Sequence, residues 1–187
     1  MRNLMVAFVL WPLFSCSKRI YLDKIETYFN ASTPELKSKY MAEDYHSFFV
    51  KKMGEGDDKT ASLKSFEQWD APLHPDIRII HYSNNKNDWT ISLNEQNDFT
   101  KLIGFPGWKA TELITFNAQG LIKDAVYIPD STNPDYKKWL QPALVWLQEN
   151  MPAQLNEVYQ NHKLIQTEAS ANKWKELLQN WRQRMKQ

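Results

Sequence analysis

Hydrophobic and polar positions follow a helical period up to about residue 73, a period of two up to about residue 129, and a helical period again to the end. Ile25, Tyr28 and Phe29 share one face of a helix over residues 23–31. Ser32-Thr33-Pro34-Glu35 restarts the helix: Thr33 can cap it, Pro34 suits the first turn, and Glu35 complements its positive end. Tyr45, Phe48 and Phe49 predict a short helix over 43–50, and Leu63, Phe66 and Trp69, three residues apart, predict a third beyond a loop at 54–58.

His74-Pro75-Asp76 then breaks the helical pattern. Residues 77–82 are β-rich, and a turn cluster at 83–87 leads into Trp89, Ile91 and Leu93 alternating with polar neighbours. A turn near Asn97-Asp98 is expected to precede a strand over 99–103. A loop at 104–108 precedes a strand over 109–116, and Asn117-Ala118-Gln119-Gly120 turns it back into a strand over 121–128. Helices followed by hairpins define an α+β class. From Asn133-Pro134 the chain is helical once more, with Pro142 inside and Pro152 starting a further helix. Trp174, Leu177, Leu178, Trp181 and Met185 form the cleanest amphipathic stripe of the chain.

The first residues read differently. Arg2 precedes an apolar stretch from Leu4 to Phe14, too short to span a bilayer as a structural helix and laid out like a secretory signal. Leu13-Phe14-Ser15-Cys16 looks like a bacterial lipobox, which makes Cys16 the lipidated first residue of the mature chain, with Phe14 bulkier than usual. The alternatives are an ordinary cleaved signal with an incidental cysteine, or a buried N-terminal helix. The lipobox reading places the protein in the bacterial cell envelope, lipid-anchored, periplasm-facing or at the outer membrane. It divides the chain into a signal peptide at 1–15, a tether at 16–20, an α+β domain at 21–132 and a helical extension at 133–187.

With 187 residues, 42% of them apolar, one ordinary domain with an appendage has enough material for a core. The formal charge is +1, and loss of Arg2 with the leader leaves 22 basic and 22 acidic residues, without a basic stripe. That charge pattern argues against nucleic-acid binding. Cys16 is the sole cysteine, so a chain acylated there has neither a disulfide nor a thiol nucleophile.

The element order, the break at Pro75-Asp76-Ile77, and Gly120-Leu121-Ile122 running to Asp130 resemble the nuclear transport factor 2-like superfamily over residues 22–130, particularly its SnoaL-like branch. The resemblance implies N-terminal helices packed in the concave face of a bent antiparallel sheet, a cystatin-like roll enclosing a conical pocket. Pro129 departs from the last-strand pattern, and the helical tail exceeds the family's usual ending. In the cyclases of that family an aspartate near this position is a general acid/base, which implicates Asp130, with His74 near the pocket mouth as a partner.

Each candidate has a plainer reading beside it. Asp130 opens the loop Asp130-Ser131-Thr132-Asn133-Pro134 and can bind its own backbone amides. Asp124 alternates with Ile122, Val126 and Ile128, so it projects either into the pocket or onto a partly wet face. Trp69, Trp89, Trp108 and Tyr127 suit the wall of a cavity for an apolar ligand, or simply fill the core. The four histidines show no metal-ligand spacing, and neither a metal nor a cofactor is implied. The expected function is non-catalytic binding of a small apolar molecule or a protein partner; the amphipathic stripe at 174–185 also admits a second subunit, as a homodimer. The alternative is a SnoaL-like isomerase, cyclase or hydratase using Asp130.

Overall fold

The computed structural model describes residues 11–50 and 56–185. Most of the leader expectation therefore falls on residues 1–10, outside the described residues. The first helix, α1 (Trp11–Phe29), runs through residues 16–20 without interruption. Among the described residues no helix is long and apolar enough to cross a membrane. A short helix α2 (Pro34–Ser38) follows, with the Thr33 side chain accepting a hydrogen bond from the Leu36 amide at 3.2 Å.

Residues 43–50 are a strand rather than a helix: β1 spans Met41–Phe49. Tyr45, His46, Phe48 and Phe49 are aromatic or ring-bearing side chains that sit well on a pleated surface, and the pairing of residues 46–49 with 124–127 overrides their weak helical spacing. After β2 (Asp57–Asp58), α3 (Lys59–Ser65) begins under the side-chain cap of Asp58, continues as a π-helical turn over Phe66–Asp70, and ends in a 3-10 turn over Ala71–Leu73.

Strands β3 (Asp76–Asn85), β4 (Asp88–Gln96), β5 (Trp108–Phe116) and β6 (Ile122–Pro129) form an antiparallel meander. The sheet order is β2-β1-β6-β5-β4-β3, and β1 joins β6 in parallel, so the sheet is mixed. Residues 98–103, expected as a strand, are the helix α4 (Asp98–Ile103). The deciding signal is local: Asn97 and Thr100 form a reciprocal capping box, with Thr100 N donating to Asn97 Oδ1 at 2.9 Å and Asn97 N donating to Thr100 Oγ1 at 2.8 Å.

Two cores result. The first lies in the concave face of the sheet, where Ile25, Tyr28 and Phe29 of α1 meet Ile91, Leu93, Ile114 and Ile122. Asn30 pins the end of α1 to β3, accepting from the Ile77 amide at 2.7 Å and donating to the Ile77 carbonyl at 2.9 Å. The second core is built by α4, α5 (Tyr136–Asn150), α6 (Pro152–Val158) and α7 (Glu168–Arg184) around Phe99, Leu147, Trp174 and Leu178. A tight hairpin, β7 (Tyr159–Gln160) with β8 (Lys163–Leu164), links α6 to α7. Lys175 donates to the Pro72 carbonyl at 2.6 Å and Arg182 to the Leu102 carbonyl at 2.5 Å, fixing α7 beside the cone. The stripe of α7 is thus covered by its own chain, with Met185 exposed beyond it. The molecule is α+β, a bent sheet holding helices in its concave face with further helices alongside.

Candidate functional site

The concave side of the sheet holds an ionisable cluster, two of whose members, Glu95 and Glu112, stand in phase with the apolar residues of their strands. Glu112 pairs across the ladder with Ile91 on one side and Tyr127 on the other, so its side chain shares their concave face. Glu95, one strand over, pairs with Trp108. The Tyr127 hydroxyl donates to Glu95 Oε2 at 3.5 Å, the limit of hydrogen-bond reach. Asp70 joins them because the π-helical turn carries one more residue per turn than an α-helix would, ending with Ala71 N bonded to Phe66 O. Phe49, Ser65, Asp70, Glu95, Trp108, Tyr127 and Pro129 line a cavity of about 530 Å³.

One cation faces these acids. Lys37 of α2 donates from Nζ to the Tyr28 carbonyl at 3.0 Å, and the ammonium lies 3.8 Å from the centre of the Tyr28 ring and 4.8 Å from that of Phe66. Lys37 as a whole is half-buried. The hydroxyls of Tyr28 and Tyr45 share a hydrogen bond of 2.7 Å deeper in the core.

Removal from water dominates the ionisation of this group. Burial pushes the Glu112 carboxyl up to about 8, partly offset by Lys37 and raised further by Glu95. It pushes Glu95 up to about 7, with Asp70 adding to the shift and Lys37 opposing it, and Asp70 up to about 6. Burial likewise drives Lys37 down to about 8 against the pull of the three carboxylates. The Tyr127 phenol is raised by burial and then by Glu95, so it stays a hydrogen-bond donor. Near neutral pH the cone therefore holds several groups poised between protonation states, an arrangement concentrated at functional sites.

The other candidates lie elsewhere. Asp130 is exposed at the end of β6, and its Oδ1 accepts from the Thr132 amide and the Thr132 hydroxyl, both at 2.8 Å. Those bonds hold its carboxyl below the usual carboxylate range. His74 sits at a backbone φ of 52° and its Nδ1 lies 2.8 Å from Asp98 Oδ2, not near Asp130. Asp124 pairs with Thr115 and His46 and, three ladder positions from Tyr127, points to the convex face. Trp108 and Tyr127 line the cavity; Trp89 is buried in the first core, and Trp69 packs on Phe99 in the second. A larger depression of about 720 Å³ between α5 and α7 is walled by Trp146, Met151 and amide side chains, with no comparable convergence of acids and bases. Among the described residues no cluster of histidine, cysteine or carboxylate side chains has the makings of a metal site.

A six-stranded bent sheet with helices in its concavity is the nuclear transport factor 2-like, or cystatin-like, fold. No protein-family model matches the sequence, and no curated protein matches it. Solved structures do match. SalBIII, an epoxide hydrolase/cyclase-like enzyme of pyran ring formation in the polyether salinomycin, superposes with a TM-score of 0.50 at 14% identity, covering 62% of this chain and 95% of that one. A putative SnoaL-like polyketide cyclase from Jannaschia sp. CCS1 gives 0.43 at 12% identity over 59% of this chain and 85% of that one. A nuclear transport factor 2-like protein of unknown function from Cytophaga hutchinsonii gives 0.45 at 12% identity over 59% and 89%. At such identities the likeness establishes the fold alone.

Proposed function

We propose that this chain is a lipoprotein of the bacterial envelope, anchored through Cys16, whose cone binds a small apolar or amphipathic molecule without converting it. The observation that carries the reading is the cavity of about 530 Å³ walled by Phe49, Trp108 and Tyr127, with carboxylates at its polar end. Few convergent polar groups in a mostly aromatic wall are what an orienting small-molecule site requires. Aryl compounds should raise the melting temperature of the protein, and Ser65→Phe, which fills the mouth, should abolish the rise; a panel of such compounds with no effect on the wild type would sink the pocket reading. The anchor is tested separately: Cys16→Ala should move the protein from the membrane fraction to the soluble one, and unchanged partitioning would refute lipidation.

One contact supports a second reading, that of a SnoaL-like isomerase, cyclase or hydratase. Tyr127 and Glu95 stand together in the cavity wall as a hydroxyl donor and a carboxyl that titrates near neutrality, the requirements for general acid–base chemistry. In this reading the proton carrier is Glu95, because Asp130 is exposed and bonded to its own loop. Recovery of a bound ligand unchanged after prolonged incubation fits the binding reading. Conversion that stops in Glu95→Gln would replace it.

A further inference from the structure

Among the described residues the cone contains more acids than bases. Asp70, Glu95 and Glu112 approach from the π-helical turn, β4 and β5, whereas Lys37 from α2 is the one ammonium described among them; the hydroxyls of Tyr28, Tyr45 and Tyr127 complete the titratable groups facing the cluster. Lys37 is already engaged, donating to the Tyr28 carbonyl and resting over two rings. Glu112 is only 8% exposed, and its carboxyl accepts no hydrogen bond from any described residue. It projects from the same face as its ladder partner Tyr127, whose ring lines the cavity. Asp70 and Glu95 in the lining, with Glu112 beside them on the same face, offer carboxyl oxygens to a ligand that can donate.

We propose that the occupant of the cone is a monocationic organic amine, its ammonium set toward Glu95 and Glu112 and its apolar body against Phe49, Trp108 and Tyr127. The inference rests on the pocket reading above and names the chemistry of its ligand. Aromatic walls favour a cation that comes to lie over a ring. An anionic ligand meets three carboxyls, and a neutral one gains no ion pair from their ionisation. Binding of a cation selects the ionised carboxylates, so it expels protons that Glu95 and Glu112 hold in the empty cone and tightens as pH rises from 6 to 8. Discharge of Lys37 above about 8 acts in the same direction.

Isothermal titration of the full chain with phenethylammonium chloride, and in parallel with 2-phenylethanol, tests this at pH 6 and pH 8. The ammonium should bind roughly tenfold or more tightly at pH 8 than at pH 6, and the alcohol should show no such dependence. Glu95→Gln and Glu112→Gln should each weaken the ammonium roughly tenfold while leaving the alcohol near its wild-type affinity. Should a variant fail to fold, the wild-type comparison of the two probes across pH decides alone. Binding of the alcohol as tight as, or tighter than, the ammonium at pH 8 overturns the cationic assignment and leaves the pocket standing, as does ammonium binding that ignores pH. Binding of neither probe at millimolar concentration overturns both.

Discussion

Glu112 is the residue on which the character of this protein turns. It lies between Ile91 and Tyr127 on the inner face of the sheet, a position where sheet proteins usually place an apolar side chain. Its carboxyl is raised from its ordinary value of 4.5 to about 8, so between those limits the folded chain binds more protons than the unfolded one and loses stability as pH rises. Glu95 and Asp70 act with the same sign over narrower ranges. Lys37, lowered from 10.5 to about 8, acts in the other sense and only above about 8, where stability recovers with pH. The melting temperature is therefore expected to fall between pH 5 and pH 8, and to fall less in Glu112→Gln; thermal denaturation followed by circular dichroism at the two pH values measures both. At this scale the sequence was a partial guide. Tyr127 and Trp108 could be placed on a pocket wall, and Asp130 could be seen either as an acid or as the residue that closes its own loop. Glu95 and Glu112 were legible only as exceptions: each continues the apolar phase of its strand, after Trp89, Ile91 and Leu93 and between Ala110 and Ile114, so period two places a carboxyl on the inner face without saying that the two converge with Asp70.

The elements show why local pattern succeeded in some places and failed in others. Helix starts with a chemical signature, Thr33-Pro34 and Pro152 among them, lie where their side chains put them. The stretch 43–50 has helical spacing but is a strand, because its partner in β6 lies some eighty residues away and no local rule sees it. The stretch 98–103 has apolar residues suited to a strand but begins with a capping box that commits it to a helix. The π-helical turn is subtler still. A three-residue period through Leu63, Phe66 and Trp69 correctly predicts a helix, yet the wider turn hands Trp69 to the second core and Asp70 to the cavity. Turn chemistry supplies a prediction at this level. Asn161 and His162 both hold positive φ, 49° and 59°, in the two-residue loop between β7 and β8, a pairing that favours Asn-Gly. His162→Gly should stabilise the protein by about 1 kcal/mol, read as a rise in the denaturant midpoint.

At the scale of the whole molecule two apolar cores share one chain, both rich in aromatic rings, and the second lies among the C-terminal helices. Trp174 is fully buried in it, edge-on to Phe99 at 5.4 Å between ring centres, with its indole nitrogen lacking a hydrogen-bond partner. Trp174→Ala should cost about 3–5 kcal/mol, a large share of the stability of a domain of this size, and should appear in chemical denaturation as a loss of cooperativity or of folding altogether. The amphipathic stripe of α7 was fully visible in the sequence; that its partner would be α4 and the turn before β3 was not, since nothing local distinguishes a helix that covers its own domain from one that awaits another chain.

Trp108 belongs to both halves of this architecture. It lines the cavity and also packs tilted against Phe105, at 4.7 Å, and edge-on to Tyr136, at 5.6 Å, on the side of the C-terminal helices. A cut after residue 132, which the sequence recommends as a domain boundary, would remove Tyr136 and leave that indole without its backing. The smallest unit that can keep this cavity is thus longer than the fold it resembles, and a shortened or grafted version would inherit the sheet but not the shape of its interior.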